Sequence, residues 1–165
     1  MDYEGELVIV IGKTGKDIPK DKALEYIAGY LAGNDISART WQRDPAYAGG
    51  VPQWCFAKGF DKFAPLSPVL VSPSVVGNAS NLQLQTLVNG EVRQDTRTDD
   101  LLFGVEYIIE FISQGTTLEK GTVIMTGTPA GVAMGMASPK WLADGDSVEV
   151  KIEQLGCLKN TMSFQ

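Results

Sequence analysis

The sequence contains no histidine among its 165 residues. Histidine is the usual side-chain base near neutral pH, and it completes Ser–His–Asp triads, Cys–His pairs and many zinc sites. All of these sites are therefore excluded. Catalysis by this chain has to rest on carboxylates, lysine, tyrosine, cysteine, hydroxyls, backbone amides or a hard metal ion held by oxygen atoms.

Cysteine is scarce, and long apolar runs are missing. Cys55 and Cys157 are too few for a disulfide framework or a four-thiolate zinc site. No apolar run approaches the roughly 18 residues of a membrane span, and the acidic N-terminus differs from a secretory signal. We therefore predict a cytoplasmic protein with no membrane partner. A mitochondrial location would require a targeting segment upstream of Met1.

Positive charge is in deficit. Fourteen lysine and arginine residues face twenty aspartate and glutamate residues, which gives a formal net charge of −6 and a pI near 4.6. Such a chain is repelled by phosphate backbones, so we predict no nucleic-acid partner. Its 44% hydrophobic and 21% charged residues are ordinary for a globular protein, and its length predicts a single domain over residues 1–165.

Short β-type segments outnumber helical ones. Strands are predicted over residues 7–11, 69–71, 123–125 and 147–152, and Asn89-Gly90 predicts the type I′ turn of a hairpin within residues 82–96. One helix is predicted from Pro19 to Gly33-Asn34, and another from a Thr98 N-cap to Gln114-Gly115. Because strands and helices do not alternate regularly, the pattern indicates an α+β fold with a curled or barrel-like sheet.

Glu4 and Glu6 form the first candidate site. Residues two apart on a strand point to the same side, so these carboxylates can share one site, and Asp35 can supply a third. Three oxygen ligands with open positions suit Mg²⁺, with Mn²⁺ or Ca²⁺ as alternatives. The competing interpretation is solvated charges near a terminus and a turn residue after a helix.

Two further groups are candidates for binding an anion. Arg39, Trp41, Gln42 and Lys58 would suit a small dicarboxylate or keto acid beside the carboxylates, although salt bridges and core packing explain them equally well. The segment Thr126–Gly131 has small residues that let backbone amides and hydroxyls approach an anion, and its alternative is a plain tight turn.

Five segments occur in one order and carry a family resemblance over almost the whole chain. They read EGEL at residues 4–7, AGY to NDISAR at 28–39, KGFDKFAP at 58–65, VNGE at 88–91 and TGTPAGV at 126–132. This series resembles the catalytic domain of the fumarylacetoacetate hydrolase family. The resemblance implies the mixed β-sheet roll of that family with flanking helices, and a homodimer.

The resemblance also implies roles for individual residues. Glu4, Glu6 and Asp35 fall on the metal ligands of the family. Arg39, Gln42, Lys58 and Thr128 fall on its substrate-binding residues, with Lys58 and Thr128 as the catalytic ones. The implied activity is Mg²⁺-dependent cleavage of a C–C bond in a 2-oxo or β-diketo acid, as in acylpyruvate hydrolases and oxaloacetate decarboxylases, through an enolate chelated to the metal. An isomerase or tautomerase on the same scaffold is the alternative.

One departure from the family bears on the reaction. Family members usually carry an upstream region, and in several hydrolases a mobile lid from it bears a His–Glu pair that activates water. Here Met1 stands three residues before Glu4, and no histidine is present. We therefore expect a short form or a chain without its upstream sequence, in which decarboxylation or tautomerisation survives better than hydrolysis. A non-catalytic binding or assembly module is a further alternative.

Overall fold

The computed structural model describes residues 1–164, and its strands form two antiparallel sheets. The strands are β1 (Gly5–Ile11), β2 (Ile27–Asn34), β3 (Gln83–Val88), β4 (Glu91–Arg97), β5 (Val123–Met125), β6 (Ser147–Ile152) and β7 (Gly156–Thr161). The first sheet has the order β2-β1-β5 and the second the order β4-β3-β6-β7.

The helices are short and lie between the strands. The α-helices are α1 (Arg39–Arg43), α2 (Pro45–Ala48), α3 (Cys55–Lys58), α4 (Pro73–Val76) and α5 (Val105–Ser113), and 3₁₀-helices cover Lys20–Tyr26, Thr98–Asp100 and Ala133–Gly135. None of the helices in the described part of the chain is long and apolar enough to cross a bilayer. The predicted α+β class is confirmed.

The main core lies between the two sheets and beneath α5. Apolar side chains from one face of β1 meet those of β3, β6, β7 and α5, all buried to within a few per cent: Leu7, Ile9, Ile11, Leu84, Val105, Ile109, Val150, Ile152 and Leu158. Because strand residues alternate between faces, this packing leaves Glu4 and Glu6 together on the opposite side of β1.

The predicted helix from Pro19 to Asn34 is wrong in its second half. Residues 20–26 form a 3₁₀-helix, and Ile27–Asn34 is strand β2, which pairs with β1. A nearly continuous buried apolar run fits a helix face and a doubly covered strand equally well. Gly29 and Gly33 suit the strand, because a Cβ would lie 2.6 Å from the Val71 carbonyl oxygen at Gly29 and 2.6 Å from Val8 Cγ2 at Gly33, so both close approaches need a residue without a side chain.

Two other elements differ from the prediction. The helix expected from Thr98 begins at Val105 instead, because the Thr98 hydroxyl donates to the Ala79 carbonyl (2.6 Å) and accepts from the Leu82 amide (2.8 Å). The strand expected over residues 69–71 is reduced to one bridge between Tyr30 and Val71. Pro68, which has no N–H to donate, precedes it.

The strand predictions over residues 7–11, 123–125 and 147–152 and the hairpin are confirmed. Asn89 (φ 51°) and Gly90 (φ 81°) both have positive φ, as the type I′ turn requires. Strand β7, which follows β6, was not predicted.

Candidate metal and substrate site

Three carboxylates converge where β1 begins and β2 ends. Glu4 and Glu6 lie on one side of β1, and the register pairs Gly5 with Asn34. The Asp35 amide donates to the Glu4 carbonyl at 2.8 Å, which places Asp35 opposite Glu4. One ligand oxygen from each of the three side chains lies within 4.8 Å of the other two. The antiparallel pairing therefore brings the three predicted metal ligands together, although they are distant in sequence.

Burial makes this cluster electrostatically unfavourable without a cation. Glu6 is only 2% exposed, and this burial is the largest cause that raises the pKa of Glu6 to about 8. The Gly127 amide, which donates to Glu6 Oε2 at 2.7 Å, lowers that pKa, while the charges of Asp35 and Glu4 raise it further. A proton or a positive ion is needed to stabilise the cluster.

Lys58 brings a positive charge into the same cluster. It ends α3, and its Nζ donates to Glu4 Oε2 at 2.8 Å and to Asp35 Oδ2. Partial burial by itself lowers the pKa of Lys58, but the hydrogen bonds and charges of Asp35 and Glu4 together raise it above its usual value. Lys58 is therefore an ammonium ion at neutral pH, suited to stabilise negative charge rather than to act as a base.

Helix α1 places Arg39 and Gln42, three residues apart, on its buried face. The Arg39 guanidinium donates to Asp2 Oδ2 (2.9 Å), to Gln42 Oε1 (2.9 Å) and to Glu4 Oε1. Arg39 thus orients Glu4. Among the described atoms the buried Gln42 Nε2 has no hydrogen-bond partner, which makes it an available donor. Substrate contact by Arg39 and Gln42 stays a prediction.

Asp2 belongs to this network and was missed in the sequence. Its carboxylate is fully buried and accepts hydrogen bonds from the backbone amides of Tyr3 (3.0 Å), Ala133 (2.8 Å) and Met134 (3.1 Å), as well as from Arg39. Strand alternation was the available signal, since Asp2, Glu4 and Glu6 share one parity.

The segment after β5 runs alongside the start of β1. The Thr126 amide donates to the Leu7 carbonyl (3.2 Å), and the Thr128 hydroxyl donates to the Gly5 carbonyl (3.1 Å). Gly127 has φ 103°, a conformation that favours glycine, and no atom of the described residues lies within 4 Å of the position of its missing Cβ. Its amide binds Glu6, so this predicted anion-binding segment contacts a carboxylate of the chain itself.

A cavity of about 330 Å³ adjoins this segment. Gly127, Thr128 and Leu7 are among the residues that line it. Leu7 lies on the face of β1 opposite to that of Glu6. The three carboxylates do not line it. Space for a small molecule is therefore available beside Thr128.

The residues present fit a hard divalent cation. All three candidate ligands are carboxylates, which Mg²⁺ and Mn²⁺ prefer, and their closest oxygens are near enough to share one ion. The raised pKa of Glu6 shows that the chain alone does not fully compensate the buried negative charge.

Comparisons with known proteins identify the family of the chain. The family model for the fumarylacetoacetate (FAA) hydrolase C-terminal domain matches residues 1–163. The oxaloacetate tautomerase YisK of Bacillus subtilis is 41% identical over 160 residues, which are 97% of this chain and 51% of that protein. The chain thus spans about half the length of this curated relative.

Two solved structures extend the likeness to the fold. A fumarylacetoacetate hydrolase from Exiguobacterium antarcticum is 43% identical with a TM-score of 0.91, over 99% of this chain and 57% of that one. A fumarylpyruvate hydrolase from Pseudomonas aeruginosa, in complex with Mn²⁺ and pyruvate, is 33% identical with a TM-score of 0.87, over 99% of this chain and 66% of that one. The chain belongs to the family of the fumarylacetoacetate hydrolase C-terminal domain.

Proposed function

We propose that this chain is a divalent-metal-dependent enzyme that interconverts the keto and enol forms of a 2-oxo acid. The observation that carries the proposal is the cluster itself: three carboxylates with ligand oxygens within 4.8 Å of one another, and a lysine ammonium 2.8 Å from one of them. Glu4, Glu6 and Asp35 would hold Mg²⁺ or Mn²⁺. The bound cation supplies Lewis-acid stabilisation of the negative oxygen that develops in an enolate.

Residues of the chain supply the remaining interactions. Lys58 Nζ keeps its proton and donates hydrogen bonds to the oxygen that becomes negative. The Gln42 amide holds the carboxylate of the substrate, together with the Thr128 hydroxyl once its proton turns from the Gly5 carbonyl. Arg39 keeps Glu4 in place. Burial of this site strengthens each of these interactions relative to water.

The relatives support tautomerisation over C–C bond cleavage. The Bacillus subtilis relative, 41% identical, is an oxaloacetate tautomerase. A proton shift also requires no activated nucleophilic water, since the proton that leaves the substrate carbon can pass to solvent water while the enolate oxygen takes one from it, which suits a chain without histidine. Oxaloacetate or a similar 2-oxo diacid is therefore the proposed substrate.

Cleavage of an acylpyruvate, or decarboxylation, is the second candidate. The fumarylpyruvate hydrolase with Mn²⁺ and pyruvate favours it, because that enzyme is 33% identical and shares the fold. All three reactions pass through an enolate, so one site can support each of them.

A panel assay tests the proposal. Purified protein with Mg²⁺ or Mn²⁺ is mixed with oxaloacetate, acetylpyruvate and fumarylpyruvate, and loss of the enol or diketone absorbance is followed with pyruvate release. We expect faster enol–keto conversion of oxaloacetate, abolished by EDTA and restored by the metal. Pyruvate release would favour the second candidate. Absence of every activity, together with no metal-dependent oxalate binding in calorimetry, would leave a non-catalytic module.

A further inference from the structure

We propose that Gln94 is a positioning residue that holds the Thr128 hydroxyl against the strand bearing Glu4 and Glu6. This inference rests on the proposed function, in which Thr128 faces the substrate. Gln94 lies on β4, in the sheet that does not carry the carboxylates, and its side chain is only 1% exposed. It thus connects the two sheets at the site.

The hydrogen bonds of Gln94 use both ends of its amide. Oε1 accepts from the Gly5 amide at 3.0 Å, between the two glutamates. Nε2 donates to Thr128 Oγ1 at 2.8 Å and to the Pro129 carbonyl at 2.9 Å. One acceptor and two donors on a planar group are needed here, and among uncharged side chains only an amide provides them at this length.

This arrangement fixes the Thr128 hydroxyl from two sides. Thr128 accepts from Gln94 and donates to the Gly5 carbonyl at 3.1 Å. A hydroxyl that accepts a hydrogen bond becomes a better donor, because hydrogen bonds in a chain polarise one another. Gln94 therefore sets where the Thr128 oxygen lies and strengthens the one hydrogen bond that its proton can make, which goes to the Gly5 carbonyl unless the proton turns to a substrate oxygen.

The backbone packing around Gln94 leaves little room for another arrangement. A Cβ at Gly131 would overlap with the Arg93 carbonyl, and one at Gly5 would overlap with the hydroxyl of Thr86, which pairs with Gln94 across the sheet. The segment after β5 and the start of β1 thus both lie directly on the β3–β4 hairpin, and Gln94 is the side chain that joins them.

A double-mutant cycle tests the inference. We compare kcat and KM for oxaloacetate tautomerisation in wild type, Gln94→Met, Thr128→Val and the double variant. Each single change should lower kcat/KM about tenfold, since it leaves buried polar groups unpaired. If Gln94 acts through Thr128, the double variant should be no more than about twofold below Thr128→Val. Losses that multiply would overturn the inference.

Two further variants separate positioning from folding. Gln94→Glu keeps the acceptor for the Gly5 amide but loses both donors, so it should lose activity like Gln94→Met; full activity would contradict the inference. Gln85→Met on β3 is the matched control, because the Gln85 amide only donates to Asp95 on the sheet surface (2.9 Å). Its activity should equal that of wild type.

Hydrogen exchange distinguishes failure of this inference from failure of the proposed function. In Gln94→Met, peptides spanning residues 126–130 should exchange faster than in wild type, and in Gln85→Met they should not. If wild type converts no 2-oxo acid, the proposed function fails, and the exchange result still decides whether Gln94 holds this segment. Unchanged exchange in Gln94→Met would overturn the inference by itself.

Discussion

Glu6 makes the stability of the folded protein depend on pH. Burial raises the pKa of Glu6 to about 8 from its ordinary value of 4.5. The folded protein therefore binds this proton more tightly than the unfolded chain does. The stability that the protonated group contributes is complete below the unfolded pKa and is lost as pH rises through about 8, by a few kcal/mol in total.

We accordingly expect the melting temperature of the metal-free protein to decrease as the pH rises from about 5 to about 8, because Glu6 loses its proton over this range. Calorimetry in EDTA measures this fall, and Glu6→Gln should remove most of it. Saturating Mn²⁺ should remove it in wild type, because the cation replaces the proton. A Glu6→Gln variant with the same pH dependence as wild type would contradict the assignment.

Lys58 and a metal ion compete for the same carboxylates. Because Lys58 Nζ donates to Glu4 and Asp35, its replacement by methionine removes a positive charge from the cluster. We expect Lys58→Met to bind Mn²⁺ at least about threefold more tightly, yet to lose nearly all activity. Titration calorimetry and the tautomerisation assay measure the two effects.

The matched control for Lys58 is Lys159→Met, whose amine pairs with Glu149 at the surface at 2.9 Å. This variant should match wild type in both measurements. Weaker Mn²⁺ binding in Lys58→Met would refute competition between the amine and the metal.

The sequence predicts the charged ligand residues of the site but not the buried residues that position them. Glu4, Glu6 and Asp35 were identified by spacing and by resemblance, and the structure brings them together. Asp2 and Gln94 were missed, since each acts through buried hydrogen bonds to backbone atoms distant in sequence. Contacts of that kind become visible only when the strand register is known.

Gly5 lets the two sheets meet at the site. A Cβ on Gly5 would overlap with Thr86 Oγ1 on β3. We expect Gly5→Ala to lower the free energy of unfolding by about 1–3 kcal/mol and to weaken Mn²⁺ binding, since β1 carries Glu6 and follows directly on Glu4. Urea denaturation and calorimetry measure the two effects.

Gly50→Ala is the control for Gly5→Ala, because no atom lies within 4 Å of the Cβ position at Gly50. This variant should leave both the stability and Mn²⁺ binding close to wild type. Equal stability of Gly5→Ala and wild type would show that the sheets do not approach each other as described.

The elements were predictable where local chemistry decides them. The Asn89-Gly90 turn has one favoured conformation, so the hairpin followed from the sequence. Strand β2 could not be predicted in this way, because its apolar spacing fits a helix equally well. Gly29 and Gly33 suit the strand through close contacts with residues distant in sequence, which the sequence does not reveal. The role of Thr98 was also not predictable from local sequence, because its hydroxyl bonds to residues before β3 instead of capping a helix.

The homodimer implied by the resemblance stays a prediction. Exposed aromatic side chains form stacked pairs on the surface, such as Phe103 with Tyr107 at 4.8 Å and Tyr107 with Phe111 at 6.3 Å between ring centres. Surfaces of this kind favour association. Light scattering should give twice the 17.8 kDa of the chain, and a monomer at every concentration would contradict the prediction.

We expect Glu4, Glu6 and Asp35 to hold one divalent cation. Titration calorimetry with Mn²⁺ measures this binding in wild type, in a Glu6→Gln/Asp35→Asn double variant, and in Glu149→Gln as a surface control. We predict one ion bound per chain in wild type and in the control, and no measurable binding in the double variant. Equal Mn²⁺ binding by the double variant and wild type would show that these carboxylates are not the ligands of the cation.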